Sequence, residues 1–242
     1  MSAAIPQPAE HLNDGEQNFC CVTLGGERLE LHPQRAAWWA NRKTLFIADT
    51  HFGKEATFRA AAIPIPDQTA ADLERLSKLL HRTHAKRLVI LGDLIHSRRG
   101  RCEQTFELIT QWRNQHDDLA IDLIRGNHDD SAGDPPIAWR MECRSEPVDE
   151  LPFALCHRPT PIEERIVLAG HLHPTIRLTG AGRDSLKLAC FLLRSDVLTL
   201  PAFSSFVDGA SIRRQKGDQV FAVCEERVIK LPSVAQQDSQ DL

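Results

Sequence analysis

Five short apolar runs within residues 45–173 stop at an acid, an amide or a histidine. Leu45-Phe46-Ile47-Ala48 leads into Asp49-Thr50-His51. Arg87-Leu88-Val89-Ile90-Leu91 leads into Gly92-Asp93, and Leu119-Ala120-Ile121-Asp122-Leu123-Ile124 leads past Arg125 into Gly126-Asn127-His128-Asp129. Phe153-Ala154-Leu155-Cys156 leads into His157, and Arg165-Ile166-Val167-Leu168-Ala169 into Gly170-His171-Leu172-His173. Apolar runs of this length, bounded by polar residues, predict buried strands that end in loops. On an extended backbone residues i and i+2 share a side, so Asp49 and His51 are expected to face one point in space.

The pattern elsewhere fills in the elements between these runs. Residues 19–24 and 27–32 flank Gly25-Gly26 and predict a hairpin. Ala36-Ala37-Trp38-Trp39-Ala40 reads as core aromatics packed near the first strand rather than as a stacking platform for bases. Pro64-Ile65-Pro66 ends any helix that follows the first motif. Asp67 then caps a predicted helix to about Thr83, with Leu73, Leu76, Leu79 and Leu80 at helical spacing. A second helix runs over 103–115 and carries Phe106, Leu108, Ile109 and Trp112. Strand–helix–strand alternation argues for parallel strands joined by crossover helices. From Met141 onward strand-like runs dominate, at 153–156, 166–169, 186–193, 197–200, 220–224 and 228–231, with turn signals at Gly180-Ala181-Gly182 and Lys216-Gly217-Asp218. That half reads as mostly antiparallel. An α/β (α+β) fold of two face-packed mixed sheets flanked by helices accommodates both halves. Residues 1–17 are expected to be a flexible N-terminus, 18–232 one domain and 233–242 a disordered tail.

Composition narrows the function classes. The chain has 242 residues, 42% hydrophobic and 26% charged, and a formal net charge of −4. A strongly basic nucleic-acid module would look different. A nuclease is not excluded, because bound divalent cations add local positive charge that the sequence does not count. No apolar run is long enough to span a bilayer, and residues 1–13 lack the basic and apolar regions of a secretory signal. A cytoplasmic protein without a membrane partner is expected. The seven cysteines include no Cys-x-x-Cys pair and are expected to be reduced thiols.

The donors at the ends of the five runs are Asp, His and one Asn, without Cys. Such oxygen and imidazole donors suit manganese, iron, zinc or similar ions. Asp-x-His, Gly-Asp, Gly-Asn-His-Asp, His and Gly-His-x-His in this order resemble the calcineurin-like metallophosphoesterase superfamily, over residues 45–173. The resemblance implies the two-sheet fold and two divalent cations. Asp49, His51 and His173 would hold one, and Asn127, His157 and His171 the other, with Asp93 bridging. Two divalent ions against two carboxylates leave about +2 of charge, dropping to about +1 with a bridging hydroxide. The implied reaction is direct, in-line attack of that hydroxide on a phosphoester, with the metals roughly 4 Å apart. His128 would stabilise the transition state or protonate the leaving oxygen. Asp129 either fixes the His128 tautomer or caps the following turn. His96 is a candidate substrate contact. Arg98, Arg99 and Arg101 are a solvated loop or candidate phosphate contacts at the site rim. Where many superfamily members have Gly after the fourth-motif His, this chain has Arg158, which alters that loop.

Three features narrow the superfamily. Gly92-Asp93 is not followed by the Asp-Arg-Gly of protein Ser/Thr phosphatases, and no apolar insert of the lipid-hydrolase kind is present. Residues 49–59, with Gly53-Lys54 and Phe58-Arg59, and then Pro64-Ile65-Pro66, resemble the PdeM family of bacterial ligase-associated DNA damage response endonucleases. That resemblance implies a manganese-dependent phosphodiesterase and endonuclease acting on DNA in repair. It also implies a functional link to an ATP-dependent DNA ligase, a helicase and an exonuclease. The alternatives are a phosphoesterase for a small nucleotide or other soluble ester, and a non-catalytic interaction protein on the same fold. The complete ligand set argues against the latter.

Overall fold

The computed structural model describes residues 18–60, 67–180 and 185–234. The expected flexible N-terminus at 1–17, the Pro64-Ile65-Pro66 helix stop and residues 235–242 of the expected tail lie outside the described residues. Seven strands form the first sheet in sequence order: β1 (Cys20–Leu24), β2 (Glu27–His32), β3 (Ala36–Trp39), β4 (Thr44–Ile47), β5 (Arg87–Ile90), β6 (Ala120–Ile124) and β7 (Met141–Arg144). The first four are paired antiparallel, with Leu24 opposite Glu27 across the Gly25-Gly26 turn. From β4 to β7 the pairing is parallel. The crossovers of this parallel part include α1 (Lys54–Ala60) and α2 (Gln68–Thr83) after β4, α3 (Glu103–Gln115) after β5 and α4 (Asn127–Ala132) after β6.

The second sheet contains β8 (Val148–Glu150), β9 (Phe153–Leu155), β10 (Ile166–Ala169), β11 (Thr175–Thr179), β12 (Ser185–Arg194), β13 (Val197–Thr199), β14 (Gln219–Cys224) and β15 (Arg227–Lys230). Its path is β15-β14-β12-β13-β10-β9-β8, with β11 on β12. The back half is mostly antiparallel, as expected, with two parallel pairings. Strands β9, β10 and β13 pair parallel. Parallel pairing sends the ends of β9 and β10, and so His157 and His171, to the same edge.

Strand alternation divides the core. In β4, Phe46 faces the second sheet and joins Trp39, Val89, Phe153, Leu168, Phe191 and Phe221. Leu45 and Ile47 face the other way, with Leu88, Ile90, Ile121 and Leu123, onto α2 and α3. Helix α2 starts where Asp67 accepts from the Ala70 amide at 3.2 Å and stops at left-handed His84. It buries Leu73, Leu76, Leu79 and Leu80, each contributing about 1.5–3 kcal/mol of transfer free energy. Trp112 of α3 donates to Ser77 of α2 at 2.9 Å, which ties the two helices together. Trp39 is fully buried and Trp38 nearly so, which makes them core residues. Among the described residues no helix is long and apolar enough to cross a membrane.

Candidate metal centre

The loops that leave β4 and β5 pair with each other before they turn away. The amides of Asp49, His51 and Phe52 donate to the carbonyls of Gly92, Asp93 and Leu94, and the His96 amide returns to Phe52. Thr50 Oγ1 adds a bond to the Leu94 carbonyl at 2.9 Å. This zipper puts Asp49, His51 and Asp93 side by side. The expectation that Asp49 and His51 converge because their backbone is extended is corrected here. Both are left-handed, with φ of 54° and 43°. Asp93, His171 and His173 are left-handed too, at 55°, 71° and 44°. Such conformations at non-glycine residues cost of order 1–3 kcal/mol each and persist where surrounding bonds impose them. Five of the seven candidate ligands are therefore aimed by strained turns rather than by strand alternation.

The donors gather into two groups that share Asp93. Asp49, His51 and His173 offer ligand atoms within 4.8 Å of one another, and so do Asp93, His157 and His171. Asn127 Oδ1 joins the second group, 3.0 Å from His157 Nε2. Asp93 stands between them: Oδ1 is 3.5 Å from His157 Nε2 and Oδ2 is 3.7 Å from His51 Nε2. Asp49, His51, Asp93 and His157 are all nearly or wholly buried.

These contacts suit cations. His157 Nδ1 lies 3.0 Å from the Leu91 carbonyl and donates to it, so Nε2 carries a lone pair. That lone pair meets Asn127 Oδ1 and, at 3.0 Å, His171 Nδ1. Asp49 Oδ1 is buried without a hydrogen-bond partner, while Oδ2 accepts from the His171 amide at 2.9 Å. Burial, then His173, His128, His96 and Lys54 in that order, push His51 down to about 2. Its ring is neutral at neutral pH and its lone pair is available. Crowded acceptors with an unpartnered buried carboxylate oxygen are what a divalent cation satisfies. Gly92 makes the close approach possible: it has φ of +84°, and a Cβ there would stand 2.1 Å from His157 Nδ1.

His128 sits on the open side, about a third exposed, with Nε2 3.9 Å from Asp93 Oδ2. Its amide donates to Asp93 Oδ1, and its Nδ1 bonds the His96 carbonyl. The His96 carbonyl, not Asp129, therefore sets the His128 tautomer. The carboxylate of Asp129 turns the other way and accepts from the amides of Asp93 at 2.8 Å, Leu94 at 3.0 Å and Gly126 at 2.9 Å. The bond from Gly126 is the cap, and the other two lock the β5 loop to the β6 loop. Burial pushes this carboxyl up to about 6, against the three amide donors.

His96 stacks on His128 and lies edge-on to His51. With those two it forms a third group of ligand atoms within 4.8 Å. The arginine loop is divided. Arg98 donates to the Ser131 carbonyl and Arg101 to those of Gly133 and Asp134, so both brace the exit of α4. Arg99 is exposed and makes no such bond among the described residues. Sequence reasoning missed Glu146. Its carboxylate accepts from the amides of His157 at 2.7 Å and Arg158 at 2.8 Å, and pairs with the Arg158 guanidinium. Burial alone would raise it, but those amides and that guanidinium hold it below the ordinary carboxylate range. Arg158 thus helps clamp the His157 loop. Cys156 is a buried core thiol, pushed up to about 11 by burial.

Residues 42–167, more than half of the chain, match the calcineurin-like phosphoesterase family, and the chain belongs to that family of metal-dependent phosphoester hydrolases. Among solved structures, it is 37% identical to the nuclease MPE of Pseudomonas putida, with 88% of this chain and 100% of that one covered and a TM-score of 0.78. Yfce, a phosphoesterase from E. coli, matches at 14% identity and a TM-score of 0.39 over 78% of this chain and 97% of that one. No curated protein sequence matches the chain.

Proposed function

We propose that this phosphoesterase is a phosphodiesterase that cleaves DNA, with two divalent cations, manganese first among them, as its cofactors. The DNA reading is supported by likeness to a nuclease over the whole length of that protein. The observation that carries the chemistry is the pair of buried donor groups on either side of Asp93. Asp49, His51 and His173 would hold one cation, Asn127, His157 and His171 the other, and Asp93 would touch both. When bound, such a pair supplies positive charge for the phosphoryl oxygens and acidifies water at the site.

The remaining work falls to the chain itself. His128 is held through Nδ1, which leaves Nε2 facing the open side beside Asp93. As the imidazolium, with Nδ1–H on the His96 carbonyl, His128 would present a second proton on Nε2 to a leaving alkoxide, a service worth about 10²–10⁴-fold. Asp129 keeps the Asp93 and Asn127 loops in register. The test is incubation with manganese and single-stranded DNA, and in parallel with a panel of mononucleotides and cyclic nucleotides. Cleavage of the DNA that stops in excess chelator is expected. Turnover confined to the small esters would replace the DNA reading with a nucleotide phosphoesterase.

A further inference from the structure

Beside Asp49, His51 and His173 lies a rim that the chemistry above does not use. The segment after β13 is fastened at both ends to the ligand loops. At one end the amides of Phe203 and Ser204 donate to the carbonyls of Ala48 and Asp49. At the other, Thr175 and Ala210 are bonded, and Ile212 returns to Thr175. A Cβ on Gly209 would stand 2.1 Å from the His173 carbonyl, so this backbone runs directly against a ligand residue.

Phe206 stands between the anchors and is only half-buried. Phe58 meets it edge-on at 5.2 Å between centroids, and the Lys54 ammonium lies 5.8 Å from its ring centre. Neither Phe58 nor Phe206 belongs to the apolar clusters of the described core. The Lys54 amide donates to the His51 carbonyl, which ties this residue to the first ligand loop. The one acid of this loop, Asp208, is paired with Lys187 at 2.5 Å. Next to the loop is a cleft of about 150 Å³ lined by His173, Arg35, Lys187 and Asp208. A half-exposed ring with an ammonium over one face, on a loop fastened to the ligand loops, offers a base its other face and the adjoining phosphate a cation.

We propose that Phe206 and Lys54 form a nucleotide subsite flanking the scissile phosphate, the ring stacking on a nucleobase and the ammonium meeting the adjoining phosphate. This rests on the DNA reading and assigns one side of the substrate to the Asp49, His51 and His173 edge. The experiment compares kcat/KM, with manganese, on a thymidine oligonucleotide and on one of equal length made of abasic residues. The wild type favours the base-bearing strand by about tenfold or more. Phe206→Leu keeps an apolar contact for Phe58 and brings that ratio close to one, whereas Phe206→Trp preserves it. Lys54→Gln raises KM on both strands alike and flattens its salt dependence. A wild-type ratio in Phe206→Leu, with thermal unfolding unchanged, overturns the subsite while leaving DNA cleavage standing. If the wild type cuts neither strand yet hydrolyses a small aryl diester, the DNA reading fails and the subsite falls with it.

Discussion

The two donor groups share Asp93 and a mixture of carboxylate and imidazole, yet the fold holds them in different ways. His157 is wholly buried, its Nδ1 is fixed by the Leu91 carbonyl, and Glu146 holds its amide. Its lone pair is aimed before anything binds. His51 has no such carbonyl partner: Nε2 faces His173 Nε2 and Nδ1 faces His96 Nδ1, each at 3.4 Å. Asp49, His51 and His173 are all left-handed, and Asp49 Oδ1 has no hydrogen-bond partner. One group is preset by backbone and carboxylate partners, and the other is completed only by what it binds. The incomplete group is also the one beside His96 and His128. It follows that the cation held by Asp93, Asn127, His157 and His171 should be the tighter of the two.

Asp93→Ala breaks both groups at once and should have the largest effect. A fall in kcat of about 10³-fold is expected, together with loss of metal by elemental analysis. Two ions per chain at full rate would show that Asp93 does not serve both sides. His128→Ala should leave both groups intact. DNA cleavage should drop about 10²–10⁴-fold, with a much smaller loss on a nitrophenyl diester, whose leaving group needs no proton, and with both ions still bound. An equal fall on the two substrates would assign His128 to the phosphoryl charge instead.

Glu146→Ala sharpens the contrast because it touches only the preset group. Loss of such an outer support typically costs about 10–100-fold in metal affinity. Manganese titration should register that loss at the tighter site alone, and equal weakening at both sites would contradict the division. The smallest effect is expected from Arg99→Ala, which touches neither group. A two- to fivefold rise in oligonucleotide KM that fades with salt is about what one exposed charge gives. Arg98→Ala should act on the stability of the α4 exit rather than on salt dependence, as its bond to the Ser131 carbonyl implies.

Much of the centre was legible because each ligand follows an apolar run, and run plus polar stop is a one-dimensional signal. The hairpin at Gly25-Gly26 and the leucine spacing of α2 were legible for the same reason. Backbone sign was not. The letters Asp49-Thr50-His51 read as a strand end, whereas the left-handed turns come from bonds to Gly92, Asp93 and Leu94 on another loop. The partners of Asp129 were hidden in the same way, since two of its three donors belong to the β5 loop. Glu146 carries no motif, and only the fold brings it under His157. Strand β7 escaped because it is an edge strand, half-exposed along its length, with no clean alternation to read.

The central claim, two cation sites of unequal strength around one shared carboxylate, is tested most directly by titrating metal-free protein with manganese while cleavage of a single-stranded oligonucleotide is followed in the same samples. The account predicts two ions bound per chain in two resolved steps, with cleavage rising only as the second, weaker step fills. A single ion per chain, or full cleavage before the second step begins, would contradict it.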